Sequence, residues 1–303
     1  MAMQGISALM DFPHRVASAI RSAQESGALA PTVTESTVLA DGGVDFSVRW
    51  VSSLTRKDEA RRVATAPDFN PFLPYEPGLF VGELGPGHVA LLNKFPVIAN
   101  HALIVTRAFE AQLAPLNLAD FSALAAAMAS ADWLAFYNGG ELAGASQRHK
   151  HLQLAPLAAD GSGRCPIEAL LPATAPAGVA TRLTALPFAH AFVALDASRF
   201  NQPGEAAAMM LDAWQAACAH AAVSCHAGQM APYNLLLRRG WLLLVPRRAE
   251  RWEGISINAL GFAGSLFVKH RDDIERIRVA GPMRVLAAVA GSATRESPGR
   301  GLS

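Results

Sequence analysis

Two segments of the chain, LLNKFPVIANHALIVTR at 91–107 and NLLLRRGWLLLVPRR at 234–248, each read as a pair of apolar strands closed by a tight basic turn. Short apolar runs bounded by Gly, Pro and charge are strand signals, so the chain must be built around hairpins that turn near Pro96 and at Arg239-Gly240. Each hairpin has a helical pattern beside it. Residues 118–132 follow an Asn-Leu-Ala-Asp cap region, and residues 203–222 precede the second hairpin. The expected class is α+β, an antiparallel sheet with packed helices, and the echo between the segments suggests two related halves.

The remaining elements fall around these hairpins. Residues 5–27 read as a helix, 32–54 as a hairpin around Asp41-Gly42-Gly43, and 66–80, with four prolines, as a structured irregular loop. The stretch 155–187 is rich in Ala, Pro and Gly and reads as a crossover. A boundary near 178 divides the chain into 1–178 and 179–303. Beyond it, 190–195 reads as a strand, 257–269 as strand-like with glycines, and 270–291 as helical.

Composition removes several function classes. With 26 Lys+Arg against 25 Asp+Glu the surface is not strongly basic, so neither nucleic acid nor an anionic membrane is an expected partner. Cys165, Cys218 and Cys225 are scattered and odd in number, which fits a reducing compartment, and no C-x-x-C pair exists to seed a structural zinc site. The start lacks a basic segment followed by a long apolar core, so no signal peptide is expected. The charge-free run 213–237 holds too many His, Gln, Asn and Ser residues to read as a bilayer span. A soluble cytoplasmic protein is the expectation. No G-x-G-x-x-G, phosphate-binding G-x-x-x-x-G-K or G-x-S-x-G pattern occurs.

The sharpest feature is Gln147-Arg148-His149-Lys150-His151-Leu152-Gln153, preceded by Asn138-Gly139-Gly140 and Gly144-Ala145-Ser146. On a strand over 149–154, alternation places His149, His151 and Gln153 on one face and Lys150, Leu152 and Leu154 on the other. The glycines let backbone approach a ligand, and a turn of this kind can cradle an anion with the Ser146 hydroxyl and Gln147 amide beside it. A neutral imidazole can attack phosphorus and carry the phosphoryl group as a phosphoramidate, with donors holding the non-bridging oxygens. Two other readings fit the spacing: buried structural histidines, or a metal pair completed by His101. Lys94 could equally be a solvated turn residue, and Lys57 part of a mixed-charge run over 56–62.

Taken in order, Asn93-Lys94-Phe95, His101 to Thr106, Phe136 to Gly140, Gly144 to Gln153, and Asn258 to Gly264 with Lys269 resemble the diadenosine tetraphosphate phosphorylase (ATP adenylyltransferase) family. That family belongs to the transferase branch of the histidine-triad superfamily, shared with galactose-1-phosphate uridylyltransferase, and the resemblance covers about 45–275. It implies a histidine-triad-like fold and phosphorolysis of diadenosine tetraphosphate to ATP and ADP. His151 would be the nucleophile that becomes a His–AMP adduct, with His149 and Gln153 as catalytic companions. Gln153 stands where hydrolases of the superfamily carry a third His, which implies transfer to a phosphate acceptor instead of water. Lys57, Asn93, Lys94, Asn138, Gly144, Ala145, Ser146 and Gln147 would bind substrate, and Asn258, Ala259, Leu260, Ser265 and Lys269 would close the site. Magnesium would accompany the polyphosphate, no protein-bound zinc is carried over, and a monomer is favoured. Transfer from adenosine phosphosulfate or a nucleoside-diphosphate sugar, a metal-dependent hydrolase, and a non-catalytic nucleotide sensor are the rival readings.

Overall fold

Runs that are apolar at every position make strands that need cover on both faces, and that requirement sets the architecture. The computed structural model describes residues 12–29, 34–51, 69–156 and 164–291. The strands are β1 (Thr34–Asp41), β2 (Val44–Val51), β3 (Phe80–Glu83), β4 (His88–Leu92), β5 (Ala102–Thr106), β6 (Trp133–Gly139), β7 (His151–Pro156), β8 (Ala180–Thr181), β9 (Ala191–Ala194), β10 (Cys225–His226), β11 (Gln229–Met230), β12 (Tyr233–Arg238), β13 (Trp241–Pro246), β14 (Arg251–Trp252), β15 (Ile255–Ser256) and β16 (Ser265–Val268). Among the described residues, nine of them form one antiparallel sheet in the order β3-β4-β5-β7-β6-β12-β13-β9-β8. The pairing of β6 with β12, Asn138 opposite Asn234, makes the sheet continuous across the boundary near 178.

One face of the sheet is covered by helices. These are α1 (Phe12–Glu25), α2 (Leu118–Met128) and α3 (Pro203–His220). Ile104, Leu152, Leu154, Leu235, Leu237, Leu242 and Leu244 pack there with Phe12, Phe121, Leu124, Met210 and Trp214. Each such side chain contributes roughly 1.5–3 kcal/mol on burial. The alternate residues point the other way. Phe136, Leu236, Leu243 and Val245 meet a second layer formed by β1, β2 and β16 with the short helices of the C-terminal segment. This layer stops short of β4 and β5, where Val89, Leu91, Leu103 and Val105 pack with Phe72 of the loop before β3. The sheet face beside that gap carries His101, His151 and Gln153.

Several elements differ from the sequence expectation for identifiable reasons. Residues 257–269 are not one strand. Asn258 Oδ1 accepts from Leu260 N at 3.0 Å and caps α4 (Ala259–Phe262), after which β16 pairs parallel with β2. The helical stretch 270–291 breaks at Gly281-Pro282 into α5 (Asp272–Ala280) and α6 (Pro282–Val289), because Gly281 takes φ 84° and Pro282 has no N–H to continue the ladder. Strands β4 and β5 are joined by a loop over 93–101, not a short turn. The crossover contains a 3-10 turn, Pro166–Leu170, and strand β8. The cap before α2 has the expected form: Asn117 Oδ1 accepts from Ala119 N and Asp120 N, and Asp120 reaches back to Asn117 N.

Candidate active site

His151 opens β7 and His149 lies just before it, held by an isolated bridge to Ala111. The ring of His151 donates from Nδ1 to the carbonyl of His149 at 2.8 Å. A carbonyl only accepts, so the proton of the neutral ring sits on Nδ1 and the lone pair on Nε2. The backbone around it is equally fixed. His151 N donates to Gln112 Oε1 at 2.9 Å, and Gln112 Nε2 donates to Asn138 O at 2.8 Å. Tyr137 Oη donates to the Gln112 carbonyl from the helix-covered side.

His149 has a different environment. Its Nε2 faces the carbonyls of Thr106 and Ala108 at 2.9 and 3.1 Å, and its Nδ1 accepts from Asn70 Nδ2 at 3.0 Å. Burial pushes its pKa below the ordinary value, against the pull of those carbonyls, so the ring is neutral. The His149 side chain braces the loop over 106–108, and its carbonyl sets the tautomer of His151.

Gln153, on the same face, is oriented by a chain of hydrogen bonds. Phe95 N donates to Asn93 Oδ1 at 3.1 Å, which turns Asn93 Nδ2 onto His101 Nδ1 at 3.0 Å. His101 Nε2 then donates to Gln153 Oε1 at 2.9 Å. With its oxygen engaged, Gln153 presents its NH2 group to the cavity. Asn138 is held in the same sense, since its Oδ1 accepts from Asn234 Nδ2 and from Ala259 N, both at 2.9 Å.

These groups line a cavity of about 1110 Å³, above the range of roughly 300–1,000 Å³ usual for a single small ligand. Its lining includes an apolar and aromatic group, Phe69, Phe72, Tyr75, Leu91 and Leu103. The C-terminal segment adds polar side chains to it, among them Arg251, Ser256, Asn258, Lys269 and His270. Among the described residues, no three His, Cys, Asp or Glu side chains are grouped to hold a metal ion. His101, turned onto Asn93 and Gln153, does not complete a ligand set with His149 and His151.

Residues 6–173 match the model of the Ap4A phosphorylase N-terminal domain, and residues 184–292 match that of the ATP adenylyltransferase C-terminal domain. The chain belongs to the Ap4A phosphorylase family. Among its relatives, diadenosine 5',5'''-P1,P4-tetraphosphate phosphorylase 2 of Saccharomyces cerevisiae is 28% identical over 293 residues, covering 84% of this chain and 86% of that protein. The fold is that of the yeast Ap4A phosphorylase Apa2, with a TM-score of 0.77 at 23% identity over 95% of this chain and 96% of the other. The crystal structure of Apa2 in complex with Ap4A aligns with a TM-score of 0.74 at 24% identity, over 92% of this chain and 97% of the other.

In this Ap4A phosphorylase-family chain, the cavity wall carries Asn93, Lys94, Asn138, Gly144, Ala145, Ser146, Gln147, His151, Gln153, Asn258, Leu260 and Lys269. Gly144 takes φ 88°, and a Cβ there would lie 2.9 Å from Asn258 Cβ, so only glycine allows the loop to approach the α4 cap. The N–H groups of Gly144 and Ala145 bond within the loop to Glu141 O and Gly140 O, and Ser146 and Gln147 follow on the cavity wall. Lys94 Nζ pairs with Glu76 at 2.6 Å. Ala259 acts through its backbone N–H on Asn138. The structure places Ser265 on β16, opposite Ser47 of β2, away from the wall, and Lys57 lies outside the described residues. Residues not singled out from sequence are His101 in its orienting role, Gln112, Asn234, and the apolar wall from 69–80. The prolines marked that loop as ordered, but nothing in it signalled the cavity.

Proposed function

We propose that this protein phosphorolyses diadenosine tetraphosphate to ATP and ADP, with His151 as the adenylyl carrier. The observation that carries the reading is the His151–His149 hydrogen bond, which places the lone pair of the neutral ring on Nε2, in a cavity large enough for a dinucleotide. Nε2 attacks the α-phosphorus of one adenylate, the bond to the bridging oxygen breaks, and ATP leaves. An oxygen of inorganic phosphate then attacks the same phosphorus, the N–P bond breaks, and ADP departs with the Nε2 lone pair restored. The ring is cationic while adenylylated, and the His149 carbonyl at Nδ1–H stabilises that charge. Gln153 and Asn138 direct N–H groups at the non-bridging oxygens, and Lys94 and Lys269 supply positive charge along the polyphosphate.

Magnesium would enter with the polyphosphate, held by phosphate oxygens and water and so belonging to the substrate. A single chain supplies both walls of the cavity, which supports a monomer as the working unit. No helix among the described residues is long and apolar enough to cross a membrane, and the reduced-cysteine reading supports a cytoplasmic setting.

Intact-mass analysis after incubation with diadenosine tetraphosphate and magnesium, without phosphate, tests the covalent step. One adenylyl group per chain, released by acid and absent from His151→Ala, is the expected result. Turnover with no adduct under rapid quench would overturn the histidine-carrier mechanism.

A further inference from the structure

Behind Asn138 lies a buried polar chain to which neither the sequence nor the family resemblance assigns a role. Asn138 Oδ1 accepts from both Asn234 Nδ2 and Ala259 N at 2.9 Å, which engages both lone pairs of that oxygen and leaves the NH2 group facing the cavity. Asn234 is fully buried, and its Nδ2 also donates to Ala143 O at 2.8 Å. Its Oδ1 in turn accepts from Arg247 Nη1. Arg247, 5% exposed, donates otherwise only to backbone carbonyls, including Ile257 O at 2.9 Å and Val289 O at 3.2 Å. Among the described residues no carboxylate forms an ion pair with it, and the Glu250 carboxylate favours its charge from farther away. A guanidinium so placed fixes the Asn234 amide in one of its two orientations and adds positive charge beneath the loop over 140–144.

We propose that Arg247 and Asn234 are positioning residues for the polyphosphate: Arg247 orients Asn234, and Asn234 orients Asn138 so that its NH2 group meets the phosphate of the bound nucleotide. The proposal rests on the nucleotidyl-transfer reading. It explains why two asparagines face each other where β6 meets β12. An Asn138 amide turned the other way would place its oxygen against phosphate. Burial lowers the Arg247 pKa to about 10, so the charge persists at neutral pH.

Nucleotide binding tests the proposal. Asn234→Asp keeps the acceptor for Arg247 but removes the donor to Asn138. Its dissociation constant for AMP, by calorimetry, is expected to rise on the order of tenfold, as for loss of a hydrogen bond to a charged group. In an Asn138→Ala background the same substitution should add little, whereas a purely structural role for Asn234 would lower affinity in both backgrounds. Side-chain amide NMR of the unmodified protein gives a second readout that does not depend on a variant folding. The Asn138 NH2 resonances should shift on AMP addition while those of Asn234 stay protected from exchange. Binding by the unmodified protein with no Asn138 shift, or with Asn234→Asp unaffected, would overturn the positioning role. Failure of the unmodified protein to bind any adenine nucleotide would instead remove the functional reading beneath it.

Discussion

The ring of His151 donates from Nδ1 to the main-chain carbonyl of His149 at 2.8 Å, so the tautomer of the nucleophile is set by backbone two residues upstream. The His149 side chain matters because it holds that carbonyl still, through Asn70, Thr106 and Ala108. The H-x-H spacing thus joins a brace to a nucleophile.

Gln153 presents its NH2 group only while His101 Nε2 holds its oxygen. His101→Phe removes that donor and retains an aromatic ring beside Phe136. The expected outcome is a fall in kcat of about 10- to 100-fold, by analogy with removal of an oxyanion donor or its orienting partner. Rapid-quench kinetics of adduct formation measure it. An unchanged rate would show that Gln153 needs no orientation.

Lys94 is paired with Glu76 across the cavity mouth, with side chains 49% and 39% exposed. A polyphosphate must compete with that carboxylate for the ammonium group. Glu76→Gln should lower KM for the dinucleotide by about 2- to 5-fold, the scale of an exposed ion pair, with kcat unchanged. A raised KM would mean that Glu76 binds substrate.

Beneath the nucleophile strand, Lys150 points to the helix-covered face, where Nζ meets Glu110 at 2.5 Å and Asp120 at 3.2 Å with its side chain 1% exposed. Asp120 also accepts from His88 Nε2 at 2.9 Å. Burial alone would raise the Asp120 pKa, but His88, Lys150 and the Asn117 N–H together hold it below the usual carboxylate value. Lys150→Met would leave a buried carboxylate without its cation and cost about 3–5 kcal/mol of stability, measurable by urea unfolding.

Burial favours the neutral rings of His149 and His190 and pushes their pKa values below the ordinary histidine value. A histidine whose folded pKa is depressed stabilises the native state fully above its unfolded pKa and loses that contribution as pH falls through the folded value. Thermal stability should therefore decline as pH drops below about 6.5, and His190→Gln should flatten part of that decline. Calorimetry across pH 5 to 8 checks the sign.

Much of this was legible in the sequence, for local reasons. Apolar runs around turn residues marked the hairpins, Asn117 and Asp120 marked the start of α2, and period-two alternation put His151 and Gln153 on one face. Long-range placement was not legible. Nothing near Ser265 announces that β16 crosses to pair with β2, and nothing near Asn234 announces that it faces Asn138. His101 was read from sequence as a residue that could complete a metal pair, and spacing alone could not separate that from a residue that orients Gln153. The cavity wall at 69–80 was hidden because its residues become a wall only where the second layer stops.

Adenylyl transfer through His151 is read out by supplying purified protein with diadenosine tetraphosphate and magnesium, with and without inorganic phosphate, and separating the nucleotides by chromatography beside His151→Ala. Equal amounts of ATP and ADP that require phosphate and vanish in the variant are the expected result. Products that form without phosphate, as two ADP or as ATP with AMP, or turnover that survives loss of His151, would contradict it.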